Sequence, residues 1–150
     1  MKASSLRLRT LLVSITVGVL GLLADNTSSR GEDVPFLKKE NGPFMVLART
    51  FRGPDAEKFA KALAKELRQE HRLPAYLFQA NPRGAGRVEA VAVLVGDAKT
   101  LKESETIFKQ VKAISPRCLA DMPDFPEPSL ARAYRIANPL VPKAELFPHR

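Results

Sequence analysis

The sequence has 150 residues, a formal net charge of +8 at pH 7 and a single cysteine. This length suits one small domain with flanking segments rather than two domains. A single cysteine, Cys118, excludes an intrachain disulfide. The first 31 residues carry four basic residues and one acidic residue, so their removal lowers the net charge from +8 to +5. No clustered stripe of Lys and Arg remains, which argues against nucleic acid as a partner.

The first 31 residues have the organisation of a secretory signal peptide. A basic start with Lys2, Arg7 and Arg9 precedes an apolar run from residue 11 to 24, and a polar exit ends at Gly31. The run is shorter than the roughly 20 apolar residues that span a bilayer, although an uncleaved membrane anchor is the alternative. We therefore expect a signal peptide over 1–31, cleavage after Gly31, and an exported protein that is periplasmic or extracellular.

The segment after the signal peptide begins with a polar leader, residues 32–42, which is predicted to be solvated and to carry little structure. A strand is predicted over 43–51, because this stretch is apolar and rich in β-formers. Gly53 and Pro54 then interrupt it. A helix is predicted over 54–71, with Pro54 in its first turn, where the missing N–H costs nothing.

The second half repeats this plan. A short strand is predicted over 75–79, and a turn-rich loop over 81–86 leads to a strand over 88–95 whose apolar run suits a central position. A helix follows from Thr100 to Ile114, and Glu103 stands three residues after Thr100, as in a capping box. The helix stripes match at a spacing of 48 residues, which indicates either internal duplication or ordinary amphipathic periodicity.

The C-terminal part is rich in proline. Residues 116–150 hold seven of the twelve prolines, which excludes a long helix or a central strand. A short edge strand is predicted over 117–122, followed by a proline-rich tail over 123–150. The tail has many large apolar residues, so we expect it to pack back on the domain and cover the open sheet face. It should do so near Leu130, Tyr134, Leu140 and Phe147, along an extended path with one helical turn around 130–136. The alternative is a tail reserved for a partner protein.

The element order is therefore strand, helix, strand, strand, helix and weak strand. This order predicts an α+β, ferredoxin-like βαββαβ fold, with a four-stranded antiparallel sheet and two helices on one face. The first and third strands would be central, in agreement with their apolar sequences. The second sheet face would remain open.

Two segments resemble a known family. Val46-Leu-Ala-Arg-Thr-Phe51 with its following helix, and Val93-Leu-Val-Gly96 with its own, are similar to the two halves of a SPOR (sporulation-related repeat) domain over residues 43–122. The resemblance implies a non-catalytic module of the bacterial envelope that binds peptidoglycan glycan strands on the open sheet face. The sequence departs from the family at Leu47, Arg49 and Asp97-Ala98, where glutamine, glycine and Pro-Phe are usual.

The candidate glycan-binding residues are aromatic platforms and planar hydrogen-bonding groups: Arg49, Tyr76, Phe78 and Arg87. Strand alternation predicts that Val46, Ala48, Val93 and Val95 point to the helices, and that Met45, Leu47, Arg49, Ala92 and Leu94 point away. Alignment by the 48-residue repeat instead shifts the pairing by one residue and reverses the faces of one central strand. Edge packing or solvation is the structural alternative for each candidate.

The sequence predicts no catalytic residue, metal or cofactor. The segment beyond residue 31 offers His71, His149 and Cys118, without a histidine–carboxylate cluster or metal-ligand spacing. Two hypotheses therefore lead a disfavoured enzymatic one. The first is an exported module that binds peptidoglycan. The second is a protein-interaction or assembly module that contacts another exported protein through the open sheet face or the C-terminal tail.

Overall fold

The computed structural model describes residues 33–80, 89–122 and 128–146, all within one compact unit, Glu32–Arg150. The elements follow in the order β1 (Phe44–Arg52), α1 (Ala56–Gln69), β2 (Ala75–Ala80), β3 (Ala90–Ala98), α2 (Leu101–Lys112), α3 (Arg117–Ala120), β4 (Tyr134–Ala137) and α4 (Lys143–Leu146). None of the helices in these stretches has the length and apolar character needed to cross a bilayer.

The four strands form one antiparallel sheet in the order β2-β3-β1-β4. The prediction of an α+β fold with a four-stranded antiparallel sheet is confirmed. The most apolar strands, β1 and β3, lie in the centre, and all five residues from Val91 to Val95 are buried. A continuous apolar run is what a strand covered on both faces requires.

The main core lies between the sheet and the two long helices. Leu63 of α1 and Val111 of α2 are fully buried there, as the helix stripes predict. Phe59 and Phe108, from the same two helices, are only partly buried against this core. The predicted cap of α2 forms in modified form. The Thr100 hydroxyl accepts from the Glu103 N–H at 3.2 Å, but the Glu103 carboxylate accepts from the N–H of Lys99, the residue before the cap, at 2.8 Å.

The prediction of an edge strand over 117–122 is wrong, because Arg117–Ala120 forms the short helix α3. Glu66 of α1 explains the difference, since its carboxylate accepts from the backbone N–H groups of Arg117 at 2.7 Å and Cys118 at 2.9 Å. These contacts supply partners for the donors that the start of a helix leaves free. The fourth strand comes instead from the tail, as β4.

The tail docks, although not where the sequence suggested. Leu130 is 1% exposed and belongs to the core under the helices rather than to the open sheet face. Its N–H donates to the Ile114 carbonyl at 3.1 Å, and a tight turn at Leu130–Ala133 leads into β4 in place of the predicted helical turn through residue 136. Tyr134 and Leu140 are 54% and 42% exposed. Phe147 lies outside the described residues.

The leader is part of the fold, in contrast to the predicted solvated segment. Phe36 forms a parallel bridge with Leu77, where the Leu37 N–H donates to the Leu77 carbonyl at 2.8 Å and the Leu77 N–H donates to the Pro35 carbonyl at 3.0 Å. Val34 and Leu37 are buried. The leader therefore covers part of the outer edge of β2, which sequence patterning did not indicate.

Gly96 allows α2 to approach the sheet closely. It lies at an irregularity of the β1–β3 ladder with φ +105°, and a Cβ there would lie 2.9 Å from the Ile107 side chain of α2. Glycine is favoured at this position both because its φ is positive and because Ile107 occupies the space of a side chain.

Candidate binding surfaces

The open sheet face is built from rows of paired residues. Cross-strand partners share a face, so the ladders define these rows directly. One row runs Tyr76, Leu94, Leu47, Tyr134, and the next runs Phe78, Ala92, Thr50. The centre of this face is apolar and shielded from solvent. Met45 and Leu94 are fully buried there, in a second hydrophobic cluster that also includes Leu37 of the leader.

Tyr76 lies on this face as predicted, but its ring is not a free platform. Its side chain is 8% exposed, and its hydroxyl donates to the Asp97 carboxylate at 2.8 Å. The Arg68 guanidinium lies 5.9 Å from the ring centroid. Burial, together with the bond to Asp97, raises the pKa of Tyr76 to about 12, so the phenol stays protonated. The ring and hydroxyl of Tyr76 are therefore engaged within the domain.

Arg49 lies on the other face of the sheet, which makes the predicted placement wrong. Leu47 pairs with Leu94 and Arg49 pairs with Val93, so β1 advances two residues while β3 advances one. This is a β-bulge at Ala48, and it reverses the faces of all following residues. Because Val93 belongs to the core under the helices, Arg49 shares the helix side and Thr50 takes its place on the open face.

The four candidate glycan residues therefore do not converge. Phe78 is partly buried and stands two residues from Tyr76 on the same face. Arg49 is on the helix side, and Arg87 lies outside the described residues. The sequence also could not show that Leu37 packs against the open face, because the leader has no strand-like alternation.

The exposed apolar side chains lie mostly at one edge of the sheet, and Tyr134 among them is on the open face. Four large hydrophobic residues are exposed in the described stretches: Phe36, Leu101, Tyr134 and Leu140. Three of them lie on or beside β4, since Tyr134 begins the strand, Leu140 follows it, and Leu101 of α2 faces its end across a groove. Phe36 lies at the opposite edge, beside β2.

The groove between α2 and β4, here called the α2–β4 groove, has a volume of about 440 Å³. It is lined by Phe44, Leu101, Ser104, Arg135, Ile136 and Ala137. The walls are mainly apolar, and Arg135 is the charged residue among them. The Arg135 guanidinium also lies 5.9 Å from the Phe108 ring centroid, which holds it against α2.

The polar group around Glu66 has a structural explanation. Ligand atoms of Glu66, Glu70 and His71 lie within 4.8 Å of one another. Glu66 already accepts two backbone N–H groups of α3, and the Arg117 guanidinium lies 4.0 Å from the Glu70 carboxylate, which already supplies a cation there. Burial beside the Glu66 carboxylate raises the pKa of the Cys118 thiol to about 12, so this thiol stays neutral and weakly nucleophilic. The contacts of this cluster therefore hold α3 against α1. His149 lies outside the described residues.

Comparisons with known proteins return no match: no family model, no curated protein and no solved structure matches this chain.

Proposed function

We propose that this chain is a non-catalytic binding module of an exported protein, and that its ligand is another exported protein bound near β4. We also propose that the fold is ferredoxin-like, with the C-terminal tail supplying the fourth strand. One observation carries the functional proposal. Of the four large hydrophobic side chains exposed in the described stretches, Leu101, Tyr134 and Leu140 lie on or beside β4. They lie at one edge of the sheet, with Tyr134 on the open face and Leu101 on the helix side. Large apolar side chains left exposed along one edge favour a protein-interaction site there.

The chemistry of the described residues supports a binding role over catalysis. Burial beside the Glu66 carboxylate raises the pKa of the Cys118 thiol to about 12, and this carboxylate is itself occupied by the backbone N–H groups of α3. Acid–base or nucleophilic catalysis needs a base and a nucleophile that converge in reach of a substrate. The α2–β4 groove is lined by apolar side chains, one arginine and a buried serine whose hydroxyl donates to the Leu101 carbonyl at 2.7 Å.

Peptidoglycan is the second candidate ligand. Tyr134 is 54% exposed on the open sheet face, and Phe78 is partly buried on the same face, so two aromatic side chains remain within reach of a sugar. The burial of Tyr76 and the helix-side position of Arg49 weigh against this candidate, because they remove one platform and one planar hydrogen-bonding group.

Sedimentation with purified peptidoglycan distinguishes the two ligands. We expect the wild-type protein to remain in the supernatant. If the wild-type protein co-sediments, and Tyr134→Ala and Phe78→Ala each abolish this without changing the melting temperature, the ligand is the glycan and not a protein.

The size of the native complex tests protein binding. On non-denaturing electrophoresis of cell extract, the wild-type protein should migrate as a complex larger than its monomer. The double variant Leu101→Ser/Tyr134→Ser should migrate as the monomer. Phe36→Ser removes a side chain of similar exposure at the opposite edge and should leave the complex intact. A wild-type protein that migrates only as a monomer would reject the proposal.

A further inference from the structure

The outer edge of β4 has backbone groups that no described residue pairs with. The Asn138 N–H donates to the Pro43 carbonyl at 2.9 Å, which fixes the phase of the β1–β4 ladder. Hydrogen-bonded and non-hydrogen-bonded pairs alternate in an antiparallel ladder, so Ile136 and Tyr134 bond to β1. The N–H and C=O groups of Arg135 and Ala137 therefore face away from the sheet. No strand within the described stretches pairs with this edge.

The α2–β4 groove runs directly beside this edge. Arg135 and Ala137, whose backbone faces outward, are also two of its lining residues. Leu101, 57% exposed in the first turn of α2, forms part of the opposite wall. A free strand edge next to an apolar groove under a helix offers two things together: main-chain hydrogen bonds for an incoming strand and a space for its alternate side chains.

The edge of the sheet formed by β2 differs from the β4 edge, because it is partly paired. The leader already occupies part of the outer side of β2 through its bonds to Leu77. No comparable segment within the described stretches covers β4. Within the part of the chain that the structure describes, one edge is partly covered by the leader and the other has free donors and acceptors, which is the arrangement that strand addition needs.

The charge of the groove and the symmetry of a possible dimer indicate which kind of strand would bind to β4. Arg135 is the charged lining residue of the groove, so an acidic side chain on the ligand is favoured there. Pairing with a second copy of this chain is disfavoured in the register that sets Arg135 opposite Arg135, because like charges directly opposite each other are destabilising. The four-residue length of β4 limits the number of main-chain bonds, which fits a weak, exchanging contact.

We propose that the α2–β4 groove binds an extended segment of a partner protein that adds to β4 as a fifth strand, with an aliphatic side chain in the groove and an acidic side chain beside Arg135. This inference rests on the proposed function for the class of ligand, and it adds the site and the mode of binding.

The probe is a phage-displayed library of random heptapeptides, selected on the purified exported protein. Ala137→Pro serves as the counter-selection target, because it removes an outward N–H without removing a bond to β1. Gln79→Pro is the matched control. Gln79 is an exposed residue of the other edge strand, and its N–H faces outward because it is in phase with that of Leu77.

We expect enriched peptides that combine aliphatic and acidic residues. They should bind wild-type and Gln79→Pro equally, bind Ala137→Pro at least tenfold more weakly, and bind Arg135→Gln several-fold more weakly with a smaller dependence on salt. Amide exchange on the wild-type protein gives a readout that needs no variant: a selected peptide should slow exchange at Arg135 and Ala137, which face the ligand, and not at Gln79.

Three outcomes would overturn the inference: no enrichment, equal binding to Ala137→Pro with unchanged exchange at Arg135 and Ala137, or a concentration-dependent dimer that Ala137→Pro removes. The first two leave the proposed function standing if the native complex still depends on Leu101 and Tyr134, since a partner can bind there without adding a strand. The proposed function fails separately, if the wild-type protein forms no native complex in cell extract.

Discussion

The helices α1 and α2 occupy equivalent places in the two halves of the chain, but they are buried to different extents. α1 contacts β1, β2 and β3 and buries five side chains: Ala56, Ala60, Leu63, Ala64 and Leu67. α2 contacts β1, β3 and β4 and buries only Ser104 and Val111. Alanine lets α1 pack closely, whereas α2 lies toward the four-residue strand β4, which covers less of it. The α2 side of the domain thereby retains a groove, and we place the binding function there.

The largest expected difference between the helices is in side-chain truncation. Leu63→Ala should lower the free energy of unfolding by about 2–5 kcal/mol, because Leu63 is fully buried and its loss leaves a cavity. Phe108→Ala should cost less, about 1–2 kcal/mol, because a full loss of about 3–5 kcal/mol applies only to a fully buried ring and Phe108 is partly exposed. Urea unfolding of both variants measures this. Equal losses would contradict the difference in burial.

The successes and failures of sequence reasoning have identifiable causes. The apolar runs of β1 and β3 and the Thr100–Glu103 cap are local signals, and the structure contains both. The bulge at Ala48 has no local signal, because it depends on how β1 and β3 pair. It moved Arg49 to the other face, and with it one residue of the candidate glycan site.

Long-range contacts account for the remaining errors. The helix α3 in place of a strand depends on Glu66, which is 51 residues from Arg117 along the chain. The docking of the leader depends on an edge of β2 about 40 residues away. The tail, predicted from its apolar content to dock, does so through Leu130 but joins the sheet as β4. Composition indicates that a segment must bury apolar surface, but it does not indicate against which element.

A second pair of variants tests the close contact between α2 and the sheet. Gly96→Ala should cost about 2 kcal/mol or more, because a positive φ costs an L-residue about 1–2 kcal/mol and the new Cβ would also meet Ile107 at 2.9 Å. Gly53→Ala is the matched control: Gly53 has φ +98°, but nothing lies within 4 Å of the new Cβ. Gly53→Ala should therefore lose only the stability that the positive φ costs, without the cost of a steric contact. Thermal unfolding compares the two, and equal losses would mean that Ile107 does not constrain Gly96.

The smallest expected effect concerns acid. Burial acts to raise the pKa of Glu66, but the N–H groups of Cys118 and Arg117 outweigh it and hold the pKa below its ordinary value of 4.5. A lowered folded-state pKa contributes stability above the unfolded value, and this stability is lost as the pH falls through the folded value. Glu66→Gln should therefore destabilise the protein at pH 7 by up to about 1 kcal/mol and flatten the decline below pH 4.5. Unfolding curves at pH 7 and pH 3 measure this. A Glu66→Gln profile parallel to wild type would show that the carboxylate does not fasten α3.

The central claim is that the edge of the domain formed by α2 and β4 binds another protein. Photo-crosslinking in intact cells tests it most directly, with a benzophenone amino acid placed at Leu101 in one variant and at Phe36 in the other. The two positions are 57% and 49% exposed and lie at opposite edges of the sheet. We predict a discrete protein adduct from Leu101 that Ala137→Pro weakens, and none from Phe36. An adduct from Phe36 alone, or no adduct from either position, would contradict the claim.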